Sequence, residues 1–181
     1  MYSPYELGCS KPLLSATGGV QFRTMTPRVY IETTVISYET ARPSSQLIVS
    51  AQQQITHQWW VKAQGRFALF VSAFVIREAS AGDREAAARR ISILADLPVL
   101  ELTDEVTDLA ASLIGRGGIP GSAAEDASHI AIAAVHGMDY LVTWNCTHIA
   151  NATTRERIAQ TVHRFGCQCP VICTPQELMP R

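Results

Sequence analysis

The sequence predicts an α/β protein in which a mainly parallel sheet carries helices on both faces. Short apolar runs rich in β-branched residues recur along the chain, separated by helical stretches several turns long, which suits crossover connections rather than hairpins. A chain of 181 residues with 47% hydrophobic and 17% charged content suits one compact core. No internal repeat or interior linker divides it.

Residues 1–26 are aperiodic and rich in Gly, Ser and Pro, so they are expected to form a disordered extension, with Met25 offering an internal start. Lys11 and Arg23 are their only cations, Glu6 is among them, and they lack the apolar core of a secretory signal. Residues 27–176 are expected to be the folded domain and 177–181 a tail. Residues 29–31 read as the first strand, followed by a helix from Thr33 or Thr34. Residues 47–64 (LIVSAQQQITHQWWVKAQ) read as a helix and 67–71 (FALFV) as the second strand. Ser72 is placed to cap a helix carrying Val75, Ile76 and Glu78. A helix over 84–95 is closed by Pro98, and 99–102 make a third strand. Thr103, Asp104 and Glu105 open a helix to Ile114, acids suiting its N-terminal dipole, and the turn 115–120 stops it. Ser122-Ala-Ala-Glu125 has capping-box spacing, predicting a helix to about His136. Residues 140–144 (YLVTW) form a fourth strand, 153–163 a helix and 170–173 a last strand.

Net charge of −1 and a pI of about 6.5 leave no global basic field for nucleic acid, so any such site must be local, although thirteen of the fifteen cations are Arg. The longest apolar runs, such as 130–135, fall far short of the roughly 20 residues that cross a bilayer. A soluble, cytoplasmic protein with no membrane contact is therefore expected. Five cysteines, an odd number, argue against a disulfide framework. Cys167, Cys169 and Cys173 (CQCPVIC) lack the paired two-residue spacing of a zinc knuckle and read as incidental thiols. Gly115-Arg-Gly-Gly lacks the Lys-Ser/Thr ending of a phosphate loop.

In a parallel sheet the functional crevice lies at the carboxyl ends of the strands. Glu32 falls at the end of the first strand (RVYIETTVISY) and Asn145 just beyond the fourth, so both should face that crevice. Asp126 lies in the first turn of its helix with His129 three residues on, on nearly the same side. Glu78 follows Phe74, Val75 and Ile76 where a structural helix would put an aliphatic residue. Each has a bland explanation in a helix dipole or a solvated ion pair. Four oxygen donors from four elements converging on one crevice instead suit Mg²⁺ or Mn²⁺, and with it metal-assisted phosphodiester hydrolysis.

YIETTVISY resembles the opening motif of PIN-domain proteins, and EDASHIAIAAVHGMDYLVTWNCTHI resembles their helix with an Asp followed by strand and acid. FVSAFVIREAS supplies the second acid between them, so the resemblance covers about residues 28–174, with VapC-type toxins of toxin–antitoxin pairs the nearest likeness. It implies a three-layer α/β/α sandwich with a Mg²⁺- or Mn²⁺-dependent ribonuclease site, RNA as substrate, a homodimer and a cognate antitoxin. By position Glu32, Glu78 and Asp126 match the first three acids, Asn145 the fourth, and Thr33 or Thr34 the small hydroxyl residue. Two departures stand out, Glu for Asp at the first acid and Asn for Asp at the fourth, leaving the pocket one negative charge poorer. Asn145 can ligate through its carbonyl or hold a metal-bound water.

His148, in the loop after Asn145, contacts substrate or caps the following helix. His129 orients Asp126, touches RNA or is a satisfied core residue, the last being the expectation. Trp59 and Trp60 are expected in a buried stripe or a dimer face. The competing reading is a catalytically weak or inactive PIN-like module that binds RNA or protein. A phosphotransfer receiver would need a Lys opposite its Asp, and Lys11 and Lys62 are badly placed for that.

Overall fold

The computed structural model describes residues 26–116 and 118–179, so the extension expected before Thr26 lies outside them. Five strands, β1 (Arg28–Ile31), β2 (Ala68–Ser72), β3 (Val99–Leu100), β4 (Tyr140–Val142) and β5 (Val171–Cys173), form one sheet in the order β3-β2-β1-β4-β5. Every neighbouring pair is parallel, as the long crossovers predict. Val29, Tyr30 and Ile31 of the central strand are fully buried because both faces of the sheet are covered.

The helices divide into two packed groups. α1 (Thr33–Thr40) contacts α2 (Leu47–Ala63), α3 (Ala73–Ala79) and α4 (Arg84–Leu94), whereas α5 (Asp104–Arg116) contacts α6 (Ala124–Val135) and α7 (Arg155–Phe165). The chain runs from β1 outward to β2 and β3, then in the opposite sense through β4 to β5, and with the right-handed crossovers that parallel strands favour this order puts the two groups on opposite faces. The expected three-layer α/β/α sandwich results. Its strand order reverses between β1 and β4, and in sheets of this kind functional sites gather beyond the carboxyl ends at that point.

Several boundaries differ from expectation for identifiable reasons. The strand expected through 144 leaves the ladder after Thr143, because the Trp144 N–H turns to donate to Thr34 Oγ1 at 2.8 Å. β3 pairs only over Val99 and Leu100. The capping box at Ser122 does not form: Ser122 sits in a one-turn 3₁₀ helix, Gly121–Ala123, so Ala123 precedes α6 and caps nothing. Glu125 instead meets Arg77 at 2.7 Å on the surface. By contrast, Ser72 caps α3 as predicted, its Oγ accepting from the Val75 N–H. Both tryptophans of α2 are buried, and the Trp59 indole N–H donates to the Leu178 carbonyl. The outer side of α2 carries Leu47, Ile48 and Val61 instead. None of the helices among the described residues is long and apolar enough to cross a membrane.

Candidate metal centre

Alternation along β1 puts Tyr30 and Glu32 on the same face. The phenol meets Ser72 and His129, and the carboxylate lies near His129 and Glu78. Glu32 is only 4% exposed and its backbone ends β1, the N–H donating to the Val142 carbonyl at 3.0 Å. Its carboxylate folds back to cap α1, accepting from the Thr34 N–H at 3.1 Å and from the Thr34 hydroxyl. The buried Thr143 hydroxyl donates to Glu32 Oε2 at 2.7 Å from the end of β4. A carboxylate has about four lone-pair sites, and these three bonds leave one on Oε1.

Glu78 reaches the same place from α3. Its Oε2 accepts from the Thr33 hydroxyl and faces His129 Nε2 at 3.2 Å, while no described residue donates to its Oε1. His129 is 1% exposed, and its Nδ1 lies 2.7 Å from the Tyr30 hydroxyl, itself 2.8 Å from Ser72 Oγ. One ligand atom each from Glu32, Glu78 and His129 lies within 4.8 Å of the others. Three segments, the end of β1, α3 and α6, therefore converge at the β1/β4 switch point.

Electrostatics in the cluster favour positive charge. Burial pushes His129 toward its neutral form, but the hydrogen bond to Glu78 and the charges of Glu32, Glu78 and Asp126 outweigh it, and the imidazole pKa is raised. Burial opposes ionisation of Glu78 as well, yet the His129 bond and charge, the Thr33 hydroxyl and Arg77 leave its pKa lowered. Burial, chiefly, drives the Tyr30 phenol far above its ordinary range, so it stays a neutral donor and acceptor. Two carboxylates and an imidazole around a common point form a donor set that fits a small divalent cation.

The remaining predicted residues form a second, adjoining arrangement. Asp126, in the first turn of α6, stands outside the three-residue group, and its Oδ1 accepts from Asn145 Nδ2 at 3.0 Å. Asn145 Oδ1 in turn accepts from the His148 N–H at 3.1 Å, closing the loop after β4. In this arrangement the Asn145 amide aims a donor, not its carbonyl, at the acid. Thr33 and Thr34 direct their hydroxyls to Glu78 and Glu32, and His148 enters through its backbone. His129 is the member that the sequence reading assigned to the core. Its only sequence signal was the shared side with Asp126. Cys169 and Cys173, pushed up by burial to about 11 and about 12, remain protonated thiols.

Fold and site together define a class: a three-layer α/β/α sandwich with carboxylates gathered at its central strand ends. The same fold is seen in VapC20 of Mycobacterium tuberculosis, a toxin that cleaves the sarcin–ricin loop, with a TM-score of 0.54 and 13% identity over 68% of this chain and 95% of that one. VapBC2 from Rickettsia felis, solved bound to a DNA fragment from its promoter, matches with a TM-score of 0.52 and 15% identity over 81% of this chain and 97% of the other. No family model and no curated protein sequence matches the chain. At these identities the likeness is one of fold.

Proposed function

We propose that the chain is a divalent-metal-dependent endoribonuclease that hydrolyses RNA phosphodiester bonds, acting in the cytoplasm as the toxin of a toxin–antitoxin pair. The observation that carries this reading is the convergence of buried Glu32 and His129 with half-buried Glu78 at the switch point between β1 and β4, with Asp126 beside them. Likeness in fold to a toxin that cleaves RNA, and to a toxin–antitoxin assembly, supports the same direction. A cognate antitoxin and a second copy of this chain are its proposed partners.

Glu32 and Glu78 would hold the cation, Mg²⁺ or Mn²⁺, with Asp126 a further acid beside them. Bound there, such an ion would supply Lewis-acid polarisation of a phosphoryl oxygen and acidify a water toward hydroxide. The protein's part is positional. Thr34 and Thr143 fix the rotamer of Glu32, Thr33 and His129 fix that of Glu78, and Asn145 fixes Asp126. None of these groups needs to reorganise when charge develops on the phosphate, which is where preorganised sites derive most of their effect. No side-chain nucleophile is required.

The Asn145 amide bonded to Asp126 favours a second reading, because it supplies a donor where a fourth acid would add ligating charge. On that reading the chain is a PIN-like module that binds RNA or protein without cutting. Cleavage of a mixed RNA pool in Mg²⁺, Mn²⁺ or EDTA, beside Glu78→Gln and Asp126→Ala, separates the two. Metal-dependent cutting that falls by at least about 100-fold in Glu78→Gln is expected, on the scale of losing a principal electrostatic group. Absence of cutting in every condition, with retained RNA binding, selects the module.

A further inference from the structure

The imidazole of His129 stands among the carboxylates of Glu32 and Glu78. Its Nε2 lies 3.2 Å from Glu78 Oε2 and within 4.8 Å of a Glu32 oxygen. Two donors on adjacent corners of a small octahedral ion stand about 3 Å apart, so the His129–Glu78 spacing already matches a pair of ligands sharing one ion. The rest of the ring is held as ligating imidazoles usually are, with the second nitrogen on a fixed partner. Nδ1 meets the Tyr30 hydroxyl at 2.7 Å, and that hydroxyl can pass its own proton toward Ser72 Oγ at 2.8 Å. Donation along this line, from Nδ1–H to Tyr30 and from Tyr30 to Ser72, leaves the Nε2 lone pair facing the two acids.

We infer that His129 is a direct ligand, making this a mixed nitrogen–oxygen site that prefers a first-row transition ion such as Mn²⁺ over Mg²⁺. The inference rests on the reading that Glu32 and Glu78 hold a divalent cation. Imidazole is a softer donor than carboxylate or water, so replacing one oxygen by nitrogen disfavours Mg²⁺, which demands hard oxygen ligands and releases its waters reluctantly. Tyr30 acts as the positioning residue for the ring.

The test uses the full chain, Mn²⁺ and Mg²⁺ as probes, and two readouts that need no RNA. Pulsed electron paramagnetic resonance of the Mn²⁺-loaded wild type is expected to show nitrogen-14 coupling from a directly bound imidazole. Calorimetry is expected to show tighter binding of Mn²⁺ than of Mg²⁺, with His129→Gln narrowing that gap. Losing an outer partner of a metal ligand costs roughly 10–100-fold in affinity, so losing the ligand itself should weaken Mn²⁺ by at least about tenfold. Mn²⁺ bound without nitrogen coupling, at a Mn²⁺/Mg²⁺ ratio unchanged in His129→Gln, overturns the assignment while leaving the carboxylate site intact. Tighter Mn²⁺ binding in His129→Gln also overturns it, marking the imidazole as a competitor of the ion. Binding of neither ion to wild type, or binding indifferent to Glu32→Gln, defeats the metal-site reading itself. The resonance experiment requires no variant, so it stands even where His129→Gln fails to fold.

Discussion

Thr143 is fully buried and serves two groups at once: its hydroxyl donates to Glu32 Oε2 at 2.7 Å and accepts from the Asn145 N–H at 2.8 Å. Thr143→Val preserves shape but leaves a buried carboxylate short of a donor and an amide short of an acceptor. Unsatisfied buried groups cost about 1–3 kcal/mol each, so urea unfolding should show a loss in that range at least, with Thr143→Ser recovering most of it. A Val variant as stable as wild type would mean that Glu32 does not depend on β4. At this scale the sequence showed where acids break apolar patterns, which is why Glu32 and Glu78 stood out. Which partners those acids meet was not legible. The contacts of His129 with Tyr30 and Glu78 span 99 and 51 residues of chain, and no local pattern encodes them. Asn145 was read as a ligand through its carbonyl or as the holder of a metal-bound water, and nothing nearby in sequence announces that the His148 N–H donates to that oxygen.

Elements were more legible than their ends. Hydrophobic period and chain spacing suffice for strands, helices and parallel order, whereas caps depend on one residue of backbone placement. Ser72 and Ser122 illustrate the difference. Ser72 Oγ accepts from the Val75 N–H and pairs with the Tyr30 hydroxyl in a fully buried setting. Ser122 is exposed in the 3₁₀ turn, one residue too early to cap α6. Ser72→Ala should therefore cost about 1–2 kcal/mol, the range for a lost N-cap, and lower Tm by roughly 2–4 °C for each kcal/mol in a chain of this size. Ser122→Ala should lie within about 0.5 kcal/mol of wild type, as for an ordinary surface substitution. Equal losses in calorimetric melts of the two variants would contradict the cap assignment. Trp59 and Trp60 take the buried stripe, one of the two places expected for them; α2 is apolar on more than one side, so its period alone did not decide between the stripe and an outer face. Trp59 and Trp60 face inward and Leu47, Ile48 and Val61 outward.

On the scale of the whole molecule, the reversal of strand order between β1 and β4 makes every ligand-bearing segment part of the fold's framework rather than of a loose loop. Stability and site charge are then coupled, and the coupling has a definite sign. Glu78 has a lowered pKa in the folded chain, so its contribution is complete above the ordinary carboxylate value of 4.5 and is lost as pH falls through the lowered value. His129 has a raised pKa, so its contribution is complete below the ordinary imidazole value of 6.5 and is lost as pH rises through the raised one. Without metal, the pair should therefore stabilise the fold most between pH 4.5 and 6.5. The free energy of unfolding in EDTA, wild type minus Glu78→Gln, should peak in that window and decline on both sides. Adding Mn²⁺ should remove the alkaline decline, because a cation between the acids replaces the charge that His129 surrenders, and binding to the folded state alone adds about 2.7 kcal/mol at a hundred times Kd. A difference that instead keeps growing above the window in EDTA would show that the acids are balanced by something other than this imidazole.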